Sequence, residues 1–186
     1  MVDILVGTQS NGQGHETVFA QFLSDQTGIP ADHIRVVQGD SDLIASGGGT
    51  GGSRSGTVQA NATLQTVAVM EKAFRAFLSD KLEVDADQIV FDDERFRAPG
   101  SNLSPTFLEV ADMARAAGRD DLMQHSAYAV LDSRSFPNGA HICEVEIDPD
   151  TGAVEVARYS VVDDFGNLLN PMLVEGQVHG GVAQGI

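Results

Sequence analysis

GGGTGGSRSGTVQANATLQTVAVMEKAFRAFLSDKL, residues 47–82, joins a glycine-rich mouth to a long helical pattern, and this junction decides the fold. From about Thr57 to Leu82, Val58, Ala62, Gln65, Val69, Ala73 and Phe77 recur at helical spacing, with Leu64, Ala68 and Phe74 beside them. A helix of about 25 residues spans about 37 Å, long enough to be the main support of a sheet. The spacing therefore predicts burial of Val58, Val69, Phe74 and Phe77. Upstream, residues 39–56 hold seven glycines and little bulk, which reads as a long loop.

Working outward, residues 3–8 form a short apolar strand, followed by the polar glycine loop Gln9-Ser10-Asn11-Gly12-Gln13-Gly14. Val18, Phe19, Phe22 and Leu23 place a helix from His15 to about Gln26, ended by Gly28 and Pro30. Ile34–Val37 reads as a second strand. Strand Gln88–Phe91 follows the long helix, and Ser104-Pro105 sets an N-cap and N1 for a helix over 105–117, stopped by Gly118. Beyond that, Ser126–Leu131 alternates weakly. Ala140–Ile147 and Ala153–Val162 alternate clearly around the turn Asp148-Pro149-Asp150-Thr151-Gly152. Pro171 opens a final helical segment with Val174, Val178, Val182 and Ile186 at i+4. The pattern is an α+β, two-layer fold: a mixed sheet under the long helix, then a second sheet-and-helix subdomain whose sheet comes from residues 125–164. The boundary lies near residue 120, giving subdomains 1–120 and 121–186. Met1 leads at once into a strand, and Gln184-Gly185-Ile186 stops inside a helix, so the sequence reads as a cut piece of a longer polypeptide.

Composition narrows the function. Eleven Lys and Arg stand against 27 Asp and Glu, a formal charge of −16. That charge disfavours nucleic acid and anionic membranes, both of which recruit Lys and Arg. The hydrophobic fraction of 42% suffices for a core, and no apolar run approaches the length needed to span a bilayer. The sole cysteine, Cys143, forms no internal disulfide and reads as a core residue of an alternating strand. A soluble, cytoplasmic setting is the expectation. The seven acids within residues 80–94 lack calcium-loop order and read as a solvated turn. The five histidines include no i, i+4 pair, so no metal ligands are assigned.

Three glycine-rich stretches remain as candidate sites. Gly12-Gln13-Gly14-His15-Glu16 sits between a strand and a helix, where unpaired N–H groups and a partial positive charge receive anions. It is no dinucleotide fingerprint, since Thr17 stands where a third glycine belongs, and no zinc-protease motif, since Phe19 stands where a histidine belongs. An ordinary strand–helix turn would also account for it. Residues 47–52 hold five glycines in six positions and lead into Ser53-Arg54-Ser55. Backbone amides, hydroxyls and one guanidinium suit a phosphate or pyrophosphate, against the alternative of a plain surface loop. Gly176-Gln177-Val178-His179-Gly180-Gly181-Val182-Ala183-Gln184-Gly185 places four glycines in a helix, each unfavourable by about 1 kcal/mol relative to Ala. That implies close packing or a ligand, and glutamines offer both donors and acceptors.

Together these stretches resemble the molybdenum-binding large subunits of the xanthine oxidase/aldehyde oxidase family, carbon-monoxide-dehydrogenase-type subunits above all. The matching residues are Gly7-Thr8-Gln9 through Gly12-Gln13-Gly14-His15-Glu16-Thr17, Gly49 through Ser55, and Val162-Asp163-Asp164-Phe165-Gly166 with Asn170-Pro171 through Gly185-Ile186. The resemblance covers nearly the whole chain. It implies a molybdenum–molybdopterin cofactor, often the cytosine dinucleotide form. Gln13, Gly14, His15 and Gln184 would face the pterin and its phosphate, with Gln177 in the same matched stretch. Thr50, Gly51, Gly52, Ser53 and Arg54 would hold the nucleotide end. It also implies oxidation of a carbon centre in a small-molecule substrate, with water as oxygen donor and electrons leaving through iron–sulfur and flavin partners. No catalytic residue is assigned, because the family's Gly-Glu motif is absent; Glu16 and Glu175 do not stand in it. No iron–sulfur cluster or FAD is expected in this chain. On its own the chain is expected to be inactive and to self-associate. A phosphate- or nucleotide-binding module without redox activity is the alternative, and an interaction domain whose glycines serve packing is a third reading.

Overall fold

The computed structural model describes residues 1–131 and 135–186. The chain forms two compact units, Met1–Asp132 and Ser133–Ile186. The first runs past the expected boundary near residue 120, because a short 3-10 turn at Asp120–Leu122 buries Leu122 in its core and His125 meets Phe74 edge-on at 5.6 Å.

In the first unit, β1 (Val2–Val6) and β2 (Ile34–Gln38) pair in parallel, Val2 opposite Ile34 and Val6 opposite Gln38. Parallel partners require a crossover, which α1 (His15–Thr27) provides while packing on β2. Gly28 ends α1 in the left-handed conformation (φ 69°), its N–H donating to Ser24 O at 2.8 Å; glycine takes this conformation without steric penalty.

The long helix α2 (Ser55–Leu82) packs on α1 and on α3 (Phe107–Ala116). Its buried stripe runs through Gln59, Thr63, Val67, Phe74, Phe77 and Leu78. Phe74 and Phe77 are buried as expected, whereas Val58 is half-buried and Val69 is 44% exposed. The buried face is rotated from the apolar count because its first turns are polar. Gln59 Nε2 donates to Thr63 Oγ1 at 3.2 Å, and such pairing lets polar groups occupy a buried stripe.

A short antiparallel pair, β3 (Val90–Asp92) with β4 (Arg95–Arg97), brings Phe91 and Phe96 against Phe107 at ring distances of 4.6 and 5.0 Å. Phe74 joins this cluster at 5.8 Å from Phe107, tying α2 to α3. Asp92 and Asp93 lie in ion pairs with Arg97. The cap of α3 is Thr106 rather than Ser104. Its hydroxyl accepts from Glu109 N at 3.3 Å while Glu109 Oε2 accepts from Thr106 N at 2.8 Å. This reciprocal capping box satisfies two helix-end donors, which Ser104 would not.

The second unit is an antiparallel ladder of β5 (Asn138–Ile147) and β6 (Val154–Asp164), with a register shift between Glu144 and Val145. Asp148 closes the connecting turn, its Oδ1 accepting from Asp150 N at 2.8 Å. Ser126–Leu131 forms no strand, so the expected second sheet consists of these two strands. Every residue of β5 is exposed, which corrects the placement of Cys143 in a core. Helix α4 (Pro171–Gly185) begins at Asn170, whose Oδ1 accepts from Leu173 N at 3.1 Å. The fold is α+β, and among the described residues its strands gather in one parallel and two antiparallel pairs. Among the described residues, no helix is long and apolar enough to cross a membrane.

Candidate functional site

β1 and β2 run in parallel, so their carboxyl ends, Val6 and Gln38, share one edge of the pair. Loops leaving that edge are where open α/β sheets bind ligands. The loop after β1 carries Gly7–Gly14 into α1, and the loop after β2 carries Gly39–Arg54 into α2. Two of the sequence-derived candidate regions thus emerge side by side.

Their contact is direct. Gln9 N donates to Thr50 Oγ1 at 3.1 Å, and Thr50 Oγ1 donates to Gln9 O at 2.5 Å. Ser55 Oγ reaches the same hydroxyl at 3.3 Å, and Gly49 N donates to Gly7 O at 3.1 Å. The backbones meet at Gly7 and Gly47: a Cβ on Gly47 would lie 2.3 Å from Gly7 O and 2.6 Å from Gly7 Cα. Only paired glycines permit that approach.

Both loops end at helix starts without a side-chain cap, Gly14 for α1 and Arg54 for α2. At Gly12, Gly49, Gly51 and Gly52 the space where a Cβ would stand is open. Arg54 is exposed at the mouth of α2 and has no ion pair among the described residues. The arrangement is two backbone-lined helix starts joined through Thr50, with one cation beside them. Chemically it is a donor-rich surface for an anion.

Behind it lies a polar network. His15 is 5% exposed and stacks on Phe19, ring centroids 4.6 Å apart. Its Nδ1 lies 3.0 Å from Gln38 Oε1 and its Nε2 lies 3.1 Å from Gln13 Nε2. Thr8 Oγ1 donates to Gln38 Oε1 at 3.3 Å, Gln38 Nε2 donates to Glu16 Oε1 at 3.3 Å, and Ser10 Oγ donates to Glu16 Oε2 at 3.2 Å. Gln13 Nε2 also donates to Gln9 O at 3.3 Å, and Gln13 Oε1 accepts from Asn11 N.

Gln13, Gly14, His15, Thr50, Gly51, Gly52, Ser53 and Arg54 all lie in or beside this joint. Gln177 and Gln184 belong to the other unit, exposed on α4 and seven residues apart, hence on nearly the same helix face. Gln38 and Ser10 are absent from the sequence-derived set. Gln38 is a polar residue closing a strand whose other residues pair with β1, and its position at the carboxyl end is the signal that would have identified it.

Comparison with known proteins gives the chain's family. A family model described as "Molybdopterin cofactor-binding domain" matches residues 1–186. The carbon monoxide dehydrogenase large chain of Afipia carboxidovorans is 35% identical over 96% of this chain and 23% of its own length. The nicotine 6-hydroxylase large subunit of Paenarthrobacter nicotinovorans is 34% identical over 100% of this chain and 24% of its own. Among solved structures, a Cu,Mo-CO dehydrogenase in its carbon-monoxide-reduced state superposes with a TM-score of 0.77 at 35% identity, covering 96% of this chain and 23% of that one. Quinoline 2-oxidoreductase from Pseudomonas putida 86 superposes with a TM-score of 0.81 at 29% identity, covering 98% of this chain and 24% of that one. The chain spans about a quarter of the length of these relatives.

Proposed function

This chain belongs to the molybdopterin cofactor-binding domain family, and from that premise we propose that it supplies part of the cofactor-holding wall of a molybdenum hydroxylase large subunit. The observation that carries the reading is the joint of the two glycine loops through Thr50 and Gln9. The residues present fit such a group. Two uncapped helix starts and open-faced glycines suit the phosphates of an extended cofactor, and Arg54 adds a guanidinium able to grip phosphate oxygens in a bidentate manner. Two helix starts at one joint favour a pyrophosphate, hence a dinucleotide form of the cofactor, of which the cytosine one is the form the family resemblance implies.

When bound, the cofactor supplies the molybdenum centre at which a carbon atom of a small-molecule substrate is oxidised, with water as oxygen donor. This chain's residues do the holding. Gly14 and Thr50–Ser53 offer backbone amides, Arg54 offers charge, and Thr50 keeps the two loops in register while Gly49 N is spent on Gly7 O. Gln13 and His15 brace the first loop from behind. Gln177 and Gln184 present amides that can donate and accept toward a pterin edge. No residue here is assigned as the reaction's general base.

The lone cysteine makes iron–sulfur ligation in this chain unworkable, so the iron–sulfur and flavin groups that the family resemblance implies would be carried elsewhere in the parent complex. The cysteine usage also favours a soluble, cytoplasmic setting. Val145, Ile147, Val154 and Val156 expose an apolar side of the β5–β6 ladder. Such a surface suits a further protein layer and favours self-association of the chain alone.

The test is equilibrium dialysis of the 186-residue chain against molybdopterin cytosine dinucleotide, read by pterin fluorescence. Weak binding that Arg54→Ala and Gly47→Ala both reduce is the expected result. Binding of plain nucleotide phosphates equal to that of the pterin form would favour a nucleotide module without redox chemistry. Binding that neither variant affects would place the site elsewhere.

A further inference from the structure

Gln38 stands behind the loop joint, and its hydrogen bonds fix more than its own position. A carboxylate offers only acceptors, so the half of the Gln38 amide facing Glu16 Oε1 at 3.3 Å is its NH2 group. The carbonyl half therefore faces His15 Nδ1 at 3.0 Å. A carbonyl only accepts, so Nδ1 carries the proton. In the neutral ring that leaves Nε2 as a bare acceptor.

The opposite side of the ring leads to the same proton placement by an independent route. Gln13 is oriented by the backbone: its oxygen takes Asn11 N–H, and its nitrogen gives to Gln9 O at 3.3 Å. The group of Gln13 lying 3.1 Å from His15 Nε2 is therefore a donor, and Nε2 must accept. Two amides, each oriented by a different partner, specify one tautomer of a ring that is 5% exposed.

We infer that Gln38 is a positioning residue of this site. Oriented by Glu16, it holds His15 in the Nδ1–H tautomer, and His15 Nε2 in turn anchors the Gln13 amide that shapes the 9–14 loop. Both halves of the Gln13 amide are engaged inside the loop. The Gln13 amide is thus committed inside the loop, and what residues 12–14 keep for a ligand is backbone N–H groups, which suit a phosphate. This last step rests on the cofactor-holding function proposed above; the tautomer assignment does not.

The test reads the proton directly in the ligand-free 186-residue chain. Two-bond proton–nitrogen correlation spectra of histidine-labelled protein, recorded at about pH 8.5 where an ordinary imidazole is neutral, distinguish the two tautomers. His15→Gln assigns the signal. The wild-type chain should show Nδ1 protonated and Nε2 bare, the reverse of the form that predominates in free histidine. Gln38→Glu alone would set two carboxylates against each other, so it is combined with Glu16→Gln. The double variant should keep that pattern, since the new amide donates to the new carboxylate and an acceptor stays at Nδ1. Gln38→Leu removes it and should move the tautomer ratio about three- to tenfold toward Nε2–H, the equivalent of one modest hydrogen bond, while exchange of the Gln13 side-chain NH2 protons quickens. A protonated Nε2 in the wild-type chain would overturn the proposal, as would a Gln38→Leu spectrum with an unchanged ratio. If Gln38→Leu fails to fold, the double variant Glu16→Gln with Gln38→Glu and the wild-type spectrum still decide: loss of the Nδ1–H signal in the folded double variant refutes the role. Failure of cofactor to bind, with the tautomer as stated, would count against the function alone.

Discussion

Replacing Gly47 by Ala separates the two loops without touching the core. The added Cβ would stand 2.3 Å from Gly7 O, 2.6 Å from Gly7 Cα and 2.8 Å from Gly7 C. All three are backbone atoms, and the nearest is about 1 Å inside ordinary contact, so neither chain has a flexible side chain to yield. Overpacking of this kind costs about 1–3 kcal/mol. The exposed 46–54 loop can relieve it by lifting off, at the expense of Gly49 N to Gly7 O and the two Gln9–Thr50 bonds. Each such bond is worth about 0.5–1.5 kcal/mol in net terms, less where water competes. Opening of the joint should thus become easier by about 1–2 kcal/mol. Native-state hydrogen exchange reads it: protection of the Gly49 and Gln9 amides should fall about tenfold, with amides of α3 unchanged. Gly51→Ala is the control, since nothing lies within 4 Å of its Cβ position and its φ is not positive. Unchanged protection in Gly47→Ala, or an equal loss in Gly51→Ala, would refute the close-packed joint.

Three further outcomes follow from the same structure. Phe74→Ala empties the place where α2, β4, α3 and His125 meet and should destabilise the first unit by about 3–5 kcal/mol in urea melts; a loss under about 1 kcal/mol would contradict the packing described. Carboxyls are held below their usual range at Asp3 by the Arg35 hydrogen bond, at Glu109 by the Thr106 backbone N–H, and at Asp121 by Arg119. Depressed values stabilise the fold above the unfolded carboxylate range and lose that contribution as pH falls through the folded ones. The melting temperature should therefore decline below about pH 4, modestly since these groups are exposed, and a flat profile to about pH 2.5 would be the contrary result. Assayed with an artificial electron acceptor, molybdenum cofactor, aldehydes and purines, the 186-residue chain should show no turnover above a heat-killed control. Turnover would place a general base within these residues, with Glu16 and Glu175 the first to replace.

Much of this molecule is legible in its sequence, and the exceptions share a cause. The glycine loops, the α2 span and the Asp148–Gly152 turn announce themselves through backbone requirements that composition exposes. The buried face of α2 does not, because Gln59 and Thr63 satisfy each other and so occupy positions that apolar counting assigns to solvent. Thr106 displaced Ser104 as the α3 cap because a capping box depends on Glu109 three residues later. Val69 and Cys143 look like core residues by spacing, yet spacing alone cannot say whether a layer covers them. The joint is legible in outcome but not in cause: each loop reads as an anion site, and one dinucleotide shared by residues 9–14 and 47–55 would bring them together, while the parallel pairing that sets them on one edge is a long-range fact. Gln38 shows only its strand-end position in the sequence, while its bridging of Glu16 and His15 across the crossover is likewise long-range.

The most direct test of the joined-loop site is an amide chemical-shift titration of the 186-residue chain with inorganic pyrophosphate. The account predicts that amides of residues 12–16 and 49–55 shift together along one binding curve, and that Arg54→Ala weakens it about tenfold, the scale of one charge-assisted contact. Shifts confined to one loop, or separate curves for the two, would contradict it.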